Sequence, residues 1–81
     1  MSLPRQQINV DTFTATGTAT TVFTIPHGFA VKPSFCSVAP ANALSAALCY
    51  WTWDATNITV TYLSGLTGSV SLEWCATLGT L

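Results

Sequence analysis

Alternation of apolar and polar side chains is the feature that most constrains this chain. Residues 58–63 read ITVTYL and residues 69–76 read SVSLEWCA, so every second side chain is apolar. A period of two places successive side chains on opposite faces of a β-strand. No segment repeats its apolar residues at the 3.6-residue period of a helix. We therefore predict an all-β fold.

Turn-forming residues divide the chain into about six predicted strands. These strands span residues 8–15, 19–25, 34–39, 44–53, 58–63 and 69–76. The glycine-containing segment Ser64–Gly68 predicts that the last two strands form a hairpin. Both faces of 44–53 are apolar, which predicts a central strand or one covered on both sides. The predicted architecture is a small antiparallel β-sandwich or open barrel.

The core is predicted from the apolar members of each strand. In the first strand, Ile8, Val10 and Phe13 are assigned to the core, with a slip in the alternation around residues 11–12. Phe23 and Ile25 share one face of the second strand. Residues 1–8 carry a proline and show no alternation, so we predict an extended N-terminal arm followed by one β domain at 9–81.

Small size and scarce charge favour an assembly component. Charged residues make up 6% of the 81 residues, against about 25% in an average globular domain. Domains this small usually need disulfides, a metal or oligomerisation for firm stability. Near-zero net charge also favours association. We therefore expect a homo-oligomer.

Composition also argues against several partners. The five charged residues are dispersed, so no basic patch is available to bind nucleic acid phosphates. The longest apolar run, Ala46–Trp51, is far shorter than the roughly 20 residues that span a bilayer, so no membrane partner is predicted. The N-terminus, MSLPRQQINV, lacks the apolar region of a signal peptide. We expect synthesis in a reducing cytoplasm.

One histidine and three cysteines are the candidate metal ligands. His27, Cys36, Cys49 and Cys75 are widely spaced, whereas structural zinc sites use close pairs such as C-x2-C. We therefore expect no zinc and small buried thiols. A disulfide between Cys36 and Cys75 stays open at this point, because they lie on separate predicted strands.

The sequence gives little support for a catalytic role. A Cys–His pair needs a third orienting group, and nothing in the spacing selects one. The three carboxylates, Asp11, Asp54 and Glu73, are distant in sequence, so no acid–base pair is indicated. We predict no enzyme activity and no cofactor.

Two tryptophans are candidate contact residues. Trp51 and Trp53 share one face of their strand. If the core lies on the face of Leu48 and Tyr50, both indoles point towards a neighbouring subunit or a ligand. Aromatic residues are enriched at interfaces, so we favour subunit contact over stacking on a glycan.

The stretch TIPHGFAVKP is predicted to be a structural corner between two strands. Pro26 ends the ladder, and Gly28 permits the reversal. Phe29 and Val31 are expected to turn back onto the core. A lone histidine without convergent partners seldom catalyses, so His27 is expected to bond a backbone group or a neighbouring subunit. The predicted structural loop residues are Pro26, His27, Gly28, Phe29 and Pro33.

Four segments together resemble small β domains of tailed-bacteriophage virion proteins. They are Thr24–Pro33, Ser37–Ala46, Asp54–Tyr62 and Gly68–Trp74. The resemblance implies a structural protein without catalytic residues. This chain has Gly28-Phe-Ala where that family often has Gly-Leu-Gly, which affects the expected loop conformation.

The resemblance further implies a capsid decoration (cement) protein that binds the major capsid protein as a trimer on the virion surface. A chain this short, without a fibre shaft or stalk, favours decoration over a tail fibre. The arm would lie along the capsid protein or a neighbouring protomer through Leu3, Arg5 and Ile8. The alternatives are a tail-fibre or receptor-binding module that contacts host glycans, and a ring subunit of the tail or connector.

Overall fold

The all-β prediction is confirmed. The structure, a computed structural model, describes residues 6–79. The strands are β1 (Gln6–Pro26), β2 (Phe35–Pro40), β3 (Cys49–Trp53) and β4 (Asn57–Gly79). All pairings between them are antiparallel. Within the described range, the only helical element is a 3-10 turn at Leu44–Ala46.

Two long strands form the backbone of the fold. β1 and β4 pair from Gln6 opposite Gly79 to Pro26 opposite Asn57. β2 pairs with residues 72–77 of β4, and β3 pairs with residues 58–62. Each half of the long ribbon therefore becomes three strands wide, with β4 in the centre of both halves.

The ribbon is irregular at its middle, where the two long strands come unusually close. Register shifts interrupt the pairing after Gly17, and Ala19 has a φ of 52°. A Cβ on Gly17 would lie 2.5 Å from the Leu66 carbonyl oxygen, and a Cβ on Gly65 would lie 2.7 Å from the Ala19 backbone. Glycine is therefore required at both positions.

The core lies where the two halves of the ribbon meet. The ring of Phe13, in the first half of β1, lies 6.4 Å from that of Phe23 in the second half, and Phe23 lies 5.9 Å from Tyr62. The buried apolar residues are Phe23, Ile25, Cys36, Val38, Ile58, Val60, Tyr62, Leu66, Val70, Leu72, Trp74 and Ala76. The predicted core faces of residues 23–25, 58–62 and 70–76 are therefore confirmed.

Four strands are present rather than about six, because the hairpin prediction was wrong. Residues 58–63 and 69–76 belong to one strand, β4, and both pair with β1 instead of with each other. Residues 8–15 and 19–25 are likewise parts of β1. Glycine marks a close approach of two strands here rather than a reversal of the chain.

The prediction for residues 44–53 was also wrong in two respects. Residues 44–46 form the 3-10 turn, so the strand begins only at Cys49. β3 pairs with β4 alone among the described strands, so it is an edge strand. Leu48 and Tyr50 point outward, and they are 77% and 55% exposed.

Three apolar residues assigned to the core are exposed instead. Ile8 and Val10 lie on the outer face, because β1 keeps an unbroken register from Gln6 to Gly17 and the odd-numbered Phe13 faces inward. Phe29 does pack against the core, but Val31 is 52% exposed. β1 already begins at Gln6, so residues 6–8 of the predicted arm belong to the strand, and residues 1–5 of it lie outside the described residues.

Candidate functional site

The TIPHGFAVKP loop is held by the buried ring of His27. His27 Nδ1 accepts a hydrogen bond of 3.1 Å from the Phe29 amide, so it carries no proton. The proton therefore resides on Nε2, which donates to the Asp54 carbonyl oxygen at 2.8 Å. The predicted hydrogen bond from His27 to the backbone is confirmed. Because both ring nitrogens form hydrogen bonds with the backbone, His27 has a structural role in this loop.

The β3–β4 turn presents the acceptor that His27 uses. Asp54 Oδ1 accepts hydrogen bonds from the Thr56 and Asn57 amides at 2.8 and 2.7 Å. These two bonds, the one from Asn57 first, lower the pKa of the Asp54 carboxyl. The turn lies between the end of β3 at Trp53 and the start of β4 at Asn57, and the Asp54 amide donates to the Asn57 carbonyl oxygen at 3.0 Å across it. By accepting the hydrogen bonds from the Thr56 and Asn57 amides, the Asp54 carboxylate fixes the backbone of the turn. The turn in this conformation positions the Asp54 carbonyl oxygen that His27 binds.

A groove of about 430 Å³ lies beside the His27 corner. Its walls are Ile8, Asn9, Val10, Asp11, Pro26, His27, Gly28 and Trp74. Asn9 Nδ2 donates to the His27 carbonyl oxygen at 2.7 Å, which ties the start of β1 to the loop that follows its end. Gly28 has a φ of +84°, and a Cβ there would lie 3.0 Å from Asn9 Nδ2. Glycine lets the loop close on β1.

The chemistry of this groove suits binding. Among the described residues, Asp11 is the only formally charged one in the groove walls, and its Oδ1 accepts a 2.7 Å hydrogen bond from the Thr12 amide. It lies opposite Trp74 on β4. A single carboxylate beside a fully engaged histidine provides no acid–base pair for proton transfer. The groove can instead pair a cationic group with Asp11.

The predicted contact residues Trp51 and Trp53 face inward. Trp51 Nε1 donates to the Cys36 carbonyl oxygen and Trp53 Nε1 to the Pro33 carbonyl oxygen, both at 2.9 Å. Both indoles pack against the core, so the face assignment that pointed them at a neighbour was wrong. Their partly exposed edges still line a shallow depression of about 220 Å³ with Lys32 and Thr52.

The predicted contact residues do not form one cluster. Ile8 lies in the groove beside β1, whereas Trp51 and Trp53 lie on β3, on the other side of β4. Leu3 and Arg5 lie outside the described residues. Ile8 and the two tryptophans therefore lie on two separate surfaces, at opposite edges of the sheet.

The sequence did not predict a cluster of hydrogen bonds around the buried Ser45. Ser45 Oγ donates to Asn42 Oδ1 at 2.6 Å and accepts from the Ser71 amide at 2.9 Å. Tyr62 Oη donates to the Ser45 carbonyl oxygen at 2.7 Å, and burial raises the pKa of the Tyr62 phenol. The only local signal was an asparagine three residues before a serine in a turn-rich connection.

The register between β2 and β4 excludes the Cys36–Cys75 disulfide that the sequence left possible. Cys36 lies opposite Ala76 and Ser37 lies opposite Cys75, so the two thiols point to opposite faces of the sheet. All three cysteines are free. Burial, and then the neighbouring Cys75, raise the pKa of the Cys36 thiol.

Two further observations bear on ligands and membranes. In the described part of the chain, no three His, Cys, Asp or Glu residues are grouped so that they could hold a metal ion. Over the same residues, no helix has the length and apolar character to cross a membrane.

No protein-family model, curated protein or solved structure matches this chain.

Proposed function

We propose that this chain is a non-enzymatic structural protein of a tailed-bacteriophage virion. Its role would be that of a capsid decoration (cement) protein, which binds the outer surface of the major capsid protein as an oligomer and stabilises the head. The resemblance of four sequence segments to phage virion domains supports this assignment. The proposed site of action is the virion surface, after synthesis in the host cytoplasm.

The observation that carries the proposal is the exposure of large apolar side chains on a chain with few charges. Eight such residues within 6–79 are roughly half exposed or more: Ile8, Val10, Val22, Val31, Phe35, Leu48, Tyr50 and Leu63. Monomeric proteins rarely expose large contiguous apolar patches, and these usually mark contact surfaces. A protein of this kind gains stability from partners.

Six of these eight residues, all but Val31 and Leu48, lie on strands and point to the outer faces of the two halves of the ribbon. In the first half, Ile8 and Phe35 both lie opposite Thr77, so they share one row across the sheet. In the second half, Val22 and Tyr50 both lie opposite Thr61. Each outward row thus has apolar side chains on its two outer strands and a threonine on β4 between them, which suits a protein that contacts neighbours on two sides.

We also infer the finer architecture from the same pairing. Each half of the β1–β4 ribbon is three strands wide, and the two halves meet through Phe13, Phe23 and Tyr62. This arrangement supports a small β-sandwich of six strand segments.

Location in the particle is the decisive test. Virions assembled from the genome that encodes the chain are separated into head and tail fractions, and each is examined by mass spectrometry. Decoration predicts the chain in the head fraction, in many copies. Virions deleted for the chain should release their DNA at a lower temperature. Absence of the chain from both fractions overturns the proposal.

A glycan-binding role is the second candidate, supported by the depression formed by Lys32, Trp51 and Trp53. Trp53→Ala should then abolish binding on a glycan array, whereas Tyr50→Ala, at an exposed aromatic residue outside the depression, should not. Recovery of the chain in the tail fraction would favour this role. A ring of six or twelve copies in native mass spectrometry would favour a tail or connector subunit.

A further inference from the structure

The groove beside the His27 corner places a carboxylate next to an indole. Asn9 and Asp11 lie on the same face of β1 as Phe13, which packs against the core. Asp11 is opposite Trp74 on β4, so the two side chains are neighbours on that inner face. Trp74 is 8% exposed, whereas Asp11 is exposed. The groove therefore presents an accessible anion at the rim of the aromatic core.

Hydrogen bonds fix this part of the groove before any ligand binds. The Thr12 amide donates to Asp11 Oδ1, and Asn9 Nδ2 donates to the His27 carbonyl oxygen, both at 2.7 Å. A carboxylate has about four lone-pair sites on its two oxygens, so Asp11 can accept further hydrogen bonds. Because the acceptor is already held in place, a ligand that binds it loses less conformational entropy in ordering the site.

The charges of the described residues favour a cationic ligand in this groove. Asp11 is the only formally charged residue among the described walls. The His27 ring accepts one hydrogen bond and donates one, as a neutral imidazole does. Lys32 is the only lysine or arginine within residues 6–79, and it lines the separate depression beside Trp53. A cation is therefore attracted to the groove, whereas an anion is repelled.

We propose that this groove binds an arginine side chain of a partner protein. The guanidinium group donates to the Asp11 carboxylate and lies beside the Trp74 indole, and the apolar stem of the side chain contacts Ile8 and Val10. The site itself follows from the groove, but the identity of the partner rests on the proposed function, under which the arginine belongs to the capsid protein.

Arginine suits this arrangement better than lysine does. Its planar guanidinium presents N–H donors that match the two oxygens of a carboxylate, and it also stacks against aromatic rings. The ammonium group of lysine is a compact, strongly hydrated charge without that planar fit. The groove volume of about 430 Å³ lies within the roughly 300 to 1,000 Å³ of small-ligand pockets, so it has room for one long side chain.

Short peptides test the proposal without a virion. The probes are acetyl-Gly-Arg-Gly-amide and the same peptide with lysine or with citrulline, a neutral isostere of arginine. In NMR spectra of the isotope-labelled full chain, the arginine peptide should shift the Asp11 backbone amide, the Asn9 side-chain amide and the Trp74 indole N–H. We expect a dissociation constant on the order of 1 mM, because one exposed ion pair contributes little. The other two peptides should bind at least about threefold more weakly.

Removal of one carboxylate charge tests the role of Asp11. Asp11→Asn keeps an oxygen that can accept from the Thr12 amide, and it should weaken binding of the arginine peptide about fivefold or more. Glu73→Gln is the matched control. Glu73 is exposed, lies opposite Thr12 and is not part of the groove walls, so its change should leave the affinity nearly the same.

Four results would overturn the proposal. Three of them concern the charge: no shifts at the groove with the arginine peptide, equal binding of the citrulline peptide, or unchanged binding by Asp11→Asn. The fourth, equal binding of the lysine peptide, would overturn the choice of arginine. The peptide assay contains no capsid, so its failure is distinguishable from failure of the decoration role, which the location of the chain in the particle decides.

Discussion

Two buried polar residues, His27 and Ser45, hold different loops of this protein in different ways. His27 is 0% exposed and Ser45 is 1% exposed. The His27 ring fills space between the loop after β1 and the β3–β4 turn, and it bonds to Phe29 and Asp54. Ser45 is small and bonds through its hydroxyl group to Asn42 and Ser71.

The comparison shows two ways in which a buried polar residue can stabilise a loop. His27 fills space and also forms hydrogen bonds, whereas the Ser45 side chain acts through its hydrogen bonds alone. Removal of the histidine ring leaves both a cavity and two unpaired backbone groups. Removal of the serine hydroxyl leaves hardly any cavity, but it deprives the partly buried Ser71 amide of its acceptor. The two sites should therefore differ in how strongly they respond to substitution.

His27→Ala should give the largest effect. We expect the free energy of unfolding to fall by about 3 to 4 kcal/mol, since a buried ring and two hydrogen bonds are lost. Urea unfolding followed by tryptophan fluorescence measures the change. His27→Gln, which retains an amide donor and acceptor, should lose less. A loss below about 1 kcal/mol for the alanine variant would mean that the ring does not hold the corner.

Ser45→Ala should have the next largest effect. The loss should be about 2 kcal/mol, because the Ser71 amide keeps its burial but loses its partner. The same urea titration applies. Ser64→Ala, at an exposed serine of β4, is the matched control and should change stability little. Equal effects at the two serines would remove the distinction between them.

Tyr62→Phe isolates one bond of the Ser45 cluster. The hydroxyl donates to the Ser45 carbonyl oxygen, so its removal should reduce stability by about 1 kcal/mol. Tyr50→Phe removes an exposed hydroxyl and serves as the control. A larger loss in the exposed variant would contradict the assignment of the buried bond.

Asp54 should make the His27 corner sensitive to acid, with the smallest effect of the four. Its folded pKa is lowered from 3.8, so its contribution is complete above that value and disappears as pH falls through the folded pKa. Asp54→Asn keeps an acceptor but does not titrate. The stability difference between wild type and this variant should therefore shrink at acid pH. A difference independent of pH would contradict the role of the carboxylate.

The sequence predicted strand faces better than strand connections. Alternation is a local property, so the inward faces of residues 58–62 and 70–76 could be read directly. A glycine, by contrast, can mark either a turn or a close approach of two strands. Gly65 and Gly68 suggested a hairpin, but Gly65 is required by the close approach of Ala19, which lies far away in sequence.

The start of β1 shows a second limit. The sequence assigned Ile8, Val10 and Phe13 all to the core, with a slip in the alternation at residues 11–12, and only the pairing with β4 shows that Phe13 alone of the three faces inward. Pairing spans nearly the whole chain, so no local pattern reveals it. The apolar pair turned out to face outward, at 55% and 64% exposure.

The candidate sites also differ in how well the sequence could predict them. His27 was recognisable as a structural histidine because no partner residues converge on it in sequence. Ser45 was not recognisable, since serine is common and one partner of its hydroxyl, Ser71, lies 26 residues away. The groove was missed because its walls come from three distant segments.

The pairing of β1 with β4 also has a consequence for how the chain folds. The pair Pro26–Asn57 brings together residues separated by 31 positions, whereas the pair Gln6–Gly79 brings together residues separated by 73 positions. Long-range contacts lose more chain entropy before they form, and folds built from them are slow to acquire. We therefore expect the pairing of β1 with β4 to form first at Pro26 and Asn57 and to extend from there, so the first residues of β1 join the sheet last.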